Sequence, residues 1–308
     1  MTGRDRPEPL TIRPPSEWRS LLLRSTRGCN WNHCRFCGVY AALGEPEFSV
    51  RPLEDVLADI DWYVSNMPGL ETAFIGDADP LVRPVDESVA IISGLREKLP
   101  HLARITAYAR AATLFKIGEA GARRLAAAGL TRVHIGLESG DLQTLRFHRK
   151  GQSPKLVEQA VTFVKSAGVE VSYYVLLGLG GRDRWKEHID GTVQVINRTD
   201  PQFIRLRRIW LFTPDDSETF AACPLVEEIR TGRFVPQTPE GTVHEVRRLI
   251  DGVTDARSEL ISDHANNYIN VHGTFPQDRV RMLSEIDTFL ALPQKRREAQ
   301  YAAVGSRI

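Results

Sequence analysis

Leu21-Leu22-Leu23-Arg24-Ser25-Thr26-Arg27-Gly28-Cys29-Asn30-Trp31-Asn32-His33-Cys34-Arg35-Phe36-Cys37-Gly38 joins an apolar run to a glycine-bounded loop that carries three of the chain's four cysteines. Their spacing is C-x4-C-x2-C, and the fourth, Cys223, lies far downstream. A secreted disulfide protein scatters an even set of cysteines along a shorter chain. Thiols on one short loop instead converge on the same side, where a metal centre can collect them. Structural zinc wants four tetrahedral ligands, and the fourth would have to be His33, wedged beside Cys34, or the distant Cys223. Three unrelated buried cysteines within nine residues of so cysteine-poor a chain would be a coincidence. The reading that remains is a four-iron cluster held by three thiolates, leaving one iron without a protein ligand. An electron-transfer ferredoxin avoids that arrangement by using four cysteines. An open iron suits a protein in which something else must bind the metal.

Outward from the loop, apolar runs alternate with helical patterns. Strands are read at Ser20–Ser25, Thr72–Gly76, Ala103–Tyr108, Arg132–Leu137, Val169–Leu177 and Phe203–Leu211. The helix at Pro52–Asn66 has proline in its first turn, Glu54 and Asp55 at its positive end, and Leu53, Val56, Leu57 and Ile60 on one face. Others are read at Val85–Lys98, at Lys116–Ala128 closed by Gly129, from Pro154 to Gly168 behind a Ser153 cap, and at Arg184–Asn197. Six strands joined by five helices point to a parallel sheet. Right-handed crossovers curl such a sheet into a barrel with the helices outside. The expected fold class is α/β: a partial (β/α)6 TIM-type barrel of parallel strands with a mainly helical C-terminal extension. Chemistry in that architecture gathers at the C-terminal strand ends, which is where the cysteine loop lies.

Residues 1–19, with Pro7, Pro9, Pro14 and Pro15, read as an extended or disordered arm, and residues 20–213 as the barrel. Residues 214–308 read as an extension packed on it, punctuated by Pro214, Pro224, Pro236 and Pro239, with helices near Thr242–Ser258 and Asp278–Leu290. The 308 residues are 42% hydrophobic and 26% charged, and 40 basic against 39 acidic side chains leave a net charge of +1. That balance removes the basic excess expected of sequence-independent nucleic-acid binding. No apolar run approaches the roughly 18 residues of a membrane span, and Met1–Ser20 lacks the apolar segment of a secretory signal. A cytoplasmic protein without a membrane partner is expected.

A three-cysteine loop after the first strand of a six-unit barrel resembles the radical S-adenosylmethionine (radical SAM) superfamily. The resemblance covers about Leu21–Phe220 and strengthens at Thr106-Ala107-Tyr108-Ala109-Arg110, at His134-Ile135-Gly136-Leu137-Glu138-Ser139-Gly140 and at Arg149-Lys150-Gly151-Gln152-Ser153. The tail Ser262-Asp263-His264-Ala265-Asn266-Asn267-Tyr268 is similar to the same subfamily. One departure stands out. The superfamily's commonest loop is C-x3-C-x2-C, and here one extra residue separates Cys29 from Cys34. It can bulge without moving the Cys34–Cys37 pair.

The resemblance implies a 4Fe-4S cluster on Cys29, Cys34 and Cys37, with S-adenosyl-L-methionine chelating the open iron. Reductive cleavage would give methionine and a 5′-deoxyadenosyl radical that abstracts hydrogen from a small or modest-sized organic substrate. An electron donor such as flavodoxin or ferredoxin is implied as partner. Phe36 is expected to help cover the adenine. The turn Gly76-Asp77-Ala78-Asp79 would receive the methionyl ammonium through carbonyls or an Asp side chain. Glu138 would bind ribose hydroxyls or that ammonium, and Lys150 the methionyl carboxylate. Tyr108, Arg110, Ser139 and Ser172 complete the candidate cofactor-binding set.

Each has a plainer alternative. Asp77 and Asp79 suit an Asx turn ahead of Pro80. Glu138 suits an ion pair with Arg110 or Arg149, Arg149 and Lys150 suit solvated loop charges, and Tyr108 suits strand-end packing. Ser172 and Tyr174 share a face of the fifth strand that either lines the barrel or meets the helices. Arg205 and Arg207 share a face of the sixth strand, with Arg182 and Arg184 just beyond the fifth. Pointing inward they would suit an anionic substrate, but in a chain so rich in arginine the surface is the better placement. Residues His264, Asn266, Asn267 and Tyr268 either close over the barrel mouth or cap a helix. Cys223 before Pro224 reads as packing, which leaves no ligand set for a second cluster, and no cobalamin-binding module precedes the barrel. The alternative of another class is a non-catalytic iron–sulfur chaperone or a zinc-stabilised binding module on the same barrel.

Overall fold

The computed structural model describes residues 6–10, 12–45, 47–211 and 223–304. Six parallel strands follow the alternation read in the sequence: β1 (Leu21–Arg24), β2 (Thr72–Gly76), β3 (Arg104–Ala109), β4 (Arg132–Glu138), β5 (Glu170–Leu177) and β6 (Phe203–Arg208). Between them run α1 (Leu53–Asn66), α2 (Val85–Lys98), α3 (Ala111–Ala128), α4 (Pro154–Ser166) and α5 (Gly181–Thr199). α3 begins five residues earlier than its periodicity suggests, because Gly118 takes a non-helical φ of 69° and joins two helical pieces across a kink. Ser153 caps α4 by accepting the Leu156 N–H, with Pro154 in its first turn.

The chain downstream of the barrel continues the sheet. α6 spans Pro239–Gly252, and β7 (Glu259–Ile261) lies parallel to β6, with β8 (His272–Thr274) antiparallel beyond it. The sheet thus holds eight strands in chain order. Residues 253–258, expected to prolong a helix, instead lead into the seventh strand. A strand of three residues carries too little alternation to register in sequence. α7 (Arg279–Leu290) matches its expected span, and α8 (Gln294–Val304) follows it. The 213/214 boundary and Pro214 lie outside the described residues.

Alternation along the strands sorts the side chains. Ala73, Ile75, Ile105, Ala107, Val133, Ile135, Val171, Tyr173, Ile204 and Leu206 pack under the helices, against stripes such as Val56 and Ile60 of α1 and Val157, Val161 and Val164 of α4. The opposite face is polar and aromatic and lines the lumen. There the rings of Phe74, Tyr108, His134 and Tyr174, from four successive strands, meet with centroids 5.0–6.4 Å apart. The described part of the N-terminal arm is extended and docked. Its turn Pro15–Glu17 buries Glu17 completely, and the carboxylate accepts hydrogen bonds from Ser20 Oγ (2.7 Å) and Arg104 Nη2 (3.1 Å) and meets His134 Nε2 at 3.3 Å.

Candidate active site

The cysteine loop leaves β1 through Thr26–Arg27, which pairs with Ser49–Val50. Gly28 has φ +70°, and a Cβ there would stand 2.5 Å from the Glu47 carbonyl oxygen, so only glycine fits. Between Cys29 and Cys34, Asn32 takes a left-handed φ of 43° and points its N–H at Cys29 Sγ, 3.5 Å away. Asparagine tolerates that conformation better than most residues.

Partners distant in sequence hold the loop. Trp31 Nε1 donates to the Arg149 carbonyl at 2.7 Å, and the Arg35 N–H donates to the His148 carbonyl at 2.9 Å. Trp31 lies against Gly151, whose φ of +71° and missing Cβ (2.4 Å from the ring if present) let the two segments touch. Asn30 donates to Asp79 Oδ2 at 2.9 Å. Phe36 packs its ring 5.7 Å from His148 and borders a small core of Cys223, Leu225 and Phe234. Cys223 is buried there, donating to the Arg35 carbonyl at 3.3 Å, as expected of a packing residue.

The four cysteines are free thiols. Burial pushes the Cys34 thiol up, against the pull of Lys150 and Arg110. Burial pushes Cys37 up to about 12, opposed by the Val39 N–H and reinforced by its two sister thiols. Three soft sulfur donors whose anions repel one another in a partly buried loop suit a cationic iron–sulfur centre, which stabilises the thiolates together. Among the described residues no three His, Cys, Asp or Glu side chains close on a single metal ion.

Around the thiols lie buried polar atoms without a hydrogen bond: Asn30 Oδ1, Tyr40 Oη and Arg110 Nη2. Tyr40 is buried and its hydroxyl is held protonated by burial first, then by Asp77 and the thiols. Arg110 stacks over the Trp31 ring at 4.9 Å. The sequence offered Asn30 and Trp31 only as members of the cysteine-loop motif, with no role, and gave no sign of Tyr40.

The turn after β2 is organised differently from expectation. Asp77 is wholly buried and accepts Arg24 Nε at 2.8 Å, in a network where Arg24 also pairs with Glu8 and Glu45. Asp79 is equally buried. It accepts the Arg110 N–H at 3.1 Å and the Thr113 hydroxyl at the start of α3, besides Asn30. Burial raises its pKa, and these donors work against the rise. Both carboxylates are therefore engaged by protein partners distant in sequence. Gly76 pairs with Arg24, and its carbonyl accepts the Ser25 N–H at 2.7 Å.

Glu138 lies where the β4–β5 register shifts, with φ 60°, a strained conformation for this residue type that re-aims its side chain. Its partner is Lys150 at 2.9 Å, neither Arg110 nor Arg149, and a Cβ on Gly136 would collide with that pair. Lys150 is largely buried and its pKa is raised: burial lowers it, and the Glu138 charge and Cys34 outweigh that. Ser139 faces away from the lumen, accepting the Asp141 N–H at 3.0 Å and meeting His188 Nδ1 at 2.8 Å. That His is buried, which brings its pKa down to about 4.

Ser172 and Tyr174 line the lumen. Ser172 Oγ accepts Arg205 Nε at 3.2 Å, and Tyr108 and Tyr174 face each other at 6.4 Å. Arg205 and Arg207, expected on the surface, lie inside, because the alternate residues Ile204 and Leu206 occupy the helix-facing core. Arg184 pairs instead with Asp141, and Arg182 is exposed. The tail is fastened to the C-terminal end of β6, at the mouth of the barrel. Asn267 and Asn266 donate to the Leu206 and Arg208 carbonyls at 3.0 Å, serving the end of β6 as a neighbouring strand would.

These features agree with what the chain is similar to. No helix among the described residues is long and apolar enough to cross a membrane. No curated protein matches the sequence. Two solved structures of the radical S-adenosylmethionine methyltransferase TsrM from Kitasatospora setae are 18% identical. They cover 70% and 63% of this chain with TM-scores of 0.53 and 0.50. One was determined with a tryptophan substrate and a SAM analog, the other with cobalamin and an iron–sulfur cluster. The chain spans 38–40% of that methyltransferase's length, and at this identity the likeness is one of fold. Methylornithine synthase (PylB) is 16% identical over 92% of this chain and 85% of its own, with a TM-score of 0.49. The family model described as the Radical SAM superfamily matches residues 23–192, more than half of the chain, running from β1 through the cysteine loop into α5, so the protein belongs to the radical SAM superfamily.

Proposed function

We propose that Cys29, Cys34 and Cys37 hold one 4Fe-4S cluster, that S-adenosylmethionine occupies its remaining iron, and that the enzyme abstracts hydrogen from an organic substrate in the lumen. When bound, the cluster supplies the electron that splits the sulfonium into methionine and a 5′-deoxyadenosyl radical. The observation that carries this reading is that three free thiols on one short loop lie within electrostatic reach of one another, of Arg110 and of Tyr40, where Asn30 Oδ1, Tyr40 Oη and Arg110 Nη2 are buried without a hydrogen bond. Buried polar groups without partners are costly, and a polar cofactor seated among them would satisfy them.

The side chains then divide as follows. Arg110, whose Nη2 is unpartnered, takes the methionyl carboxylate in preference to Lys150, which Glu138 already engages. The ammonium falls to the backbone carbonyls of the Asp77–Asp79 turn, since both carboxylates are occupied. Glu138, with Lys150 fixing its orientation, addresses the ribose hydroxyls. Phe36 borders the adenine. Tyr108 stands between cofactor and lumen, and Ser172 belongs with the substrate. A reducing, cytoplasmic setting and a flavodoxin or ferredoxin donor accompany this reading.

Anaerobic reconstitution with iron and sulfide, followed by dithionite and S-adenosylmethionine, tests it. The expected outcome is about four irons per chain and 5′-deoxyadenosine that disappears in Cys34→Ala. Tightly held zinc, or a cluster that never cleaves the cofactor, would favour a binding module or an iron–sulfur chaperone instead.

A further inference from the structure

Among the described residues, the lumen holds positive charge that no acidic side chain answers. Arg205 and Arg207 rise from β6 on its inner face, and neither makes an ion pair among the described residues. Arg205 is buried over Phe203 and bonded to Ser172, while Arg207 lies over the Tyr174 ring at 5.5 Å. Arg207 Nη1 and Tyr174 Oη are buried and have no partner in hydrogen-bond geometry, although the guanidinium lies close enough to the phenol to act on it electrostatically. The acids that face this space are spent elsewhere: Glu17 on Ser20, His134 and Arg104, Glu138 on Lys150, and Glu170 on Arg132. A guanidinium does not deprotonate in a protein, and a buried one without a counter-charge is unfavourable. Tyr108, Tyr174 and Arg207 are only half-buried, so this level of the lumen opens towards the mouth.

We infer that Arg207, together with the Tyr174 hydroxyl, receives an anionic group of the substrate, a carboxylate or a phosphate, with Arg205 as a second positive charge beneath it. This rests on the lumen being the substrate chamber. The planar guanidinium offers two parallel N–H donors to such a group, and the phenol a third. The same chemistry has a second source, the methionyl carboxylate of S-adenosylmethionine, and the experiment separates the two.

The full chain, as reconstituted holoenzyme and as Cys34→Ala, is melted against inorganic phosphate and malonate with chloride as the control at matched ionic strength. The wild-type melting temperature rises saturably with phosphate or malonate, and Cys34→Ala keeps that response because it needs no cluster. Arg207→Met weakens the anion at least about tenfold, as losing a charge-assisted pair of hydrogen bonds should. Without anion it melts no lower than wild type, since an unanswered charge has been removed. Tyr174→Phe weakens the anion by about threefold, and Arg207→Lys restores part of the response. S-adenosylhomocysteine on the holoenzyme leaves the phosphate response intact. An Arg207→Met chain that responds like wild type overturns the inference. So does a response abolished by S-adenosylhomocysteine, which would assign Arg207 to the cofactor. Failure of the radical reading shows in the 5′-deoxyadenosine assay and leaves these melts unchanged.

Discussion

The base and the mouth of the barrel treat charge in opposite ways. At the base, Glu17 is fully buried, yet both of its oxygens are engaged, and Arg132 and Glu170 close on each other at 2.6 Å. At the mouth and in the upper lumen, Arg110 and Arg207 each keep a buried nitrogen with no partner. A charge answered within the protein contributes to the fold alone, whereas a charge left over is available to a ligand. Two arginines near the same strand ends show the contrast. Arg24 is 4% exposed and sits among Glu8, Glu45 and Asp77. Arg110 stacks on Trp31, and among the described residues its guanidinium makes no ion pair.

The largest expected effect follows from that pair. Arg24→Met leaves Asp77 buried without its cation and should cost about 3–5 kcal/mol in urea unfolding, as breaking a buried pair from one side does. Arg110→Met should leave the unfolding midpoint within about 1 kcal/mol of wild type while raising the S-adenosylmethionine requirement at least about tenfold. A large loss of stability in Arg110→Met with cofactor binding intact would erase the distinction between the two arginines.

Periodicity carried the barrel. Apolar alternation and helix punctuation placed all six strands and five helices, because each element spends its own residues on its own pattern. The cysteine loop was equally legible, since three thiols within nine residues need no tertiary information. Illegible were the partners that only the closed barrel brings together. Asp79 joins Asn30 and Arg110 across 49 and 31 residues, and Trp31 reaches Arg149 across 118. The sequence showed Arg205 and Arg207 sharing a face but not which face. The deciding fact is that Ile204 and Leu206 pack beneath the helices. Ser139 shows the converse: a motif residue at a strand end whose hydroxyl is fixed to His188 on α5, beyond the next strand.

Acid separates base from mouth by a smaller amount. Burial alone would raise the Glu17 carboxyl, but hydrogen bonds from His134 and Ser20, with the Arg104 charge, take it from 4.5 down to about 2. A depressed carboxyl pKa gives stability that is fully present above pH 4.5 and is lost as pH falls through the folded value. Wild type should therefore lose roughly 3 kcal/mol from this group between pH 4.5 and pH 2. Glu17→Gln should start lower by a similar amount at pH 7 and lack that portion of the slope. Parallel acid profiles for the two proteins would mean that the arm does not anchor the base of the barrel through this carboxylate.

The smallest effect on the fold should fall at Trp31, where the mouth meets the loop before α4. Trp31→Phe keeps a ring against Gly151 and beneath Arg110 but removes the 2.7 Å hydrogen bond to the Arg149 carbonyl. One hydrogen bond at a part-exposed site is worth about 1 kcal/mol, so global unfolding should shift by no more than that. The loop it tethers carries the three thiols, and its opening is a local event that need not involve the core. Iron release to a chelator from the reconstituted protein should therefore quicken by about fivefold, following that 1 kcal/mol, while the melting temperature of the same sample barely moves. Iron release that stays at the wild-type rate would show that the thiol loop is held by its Arg35 and Asn30 contacts alone, and would shift the rigidity of the mouth from Trp31 to Asp79.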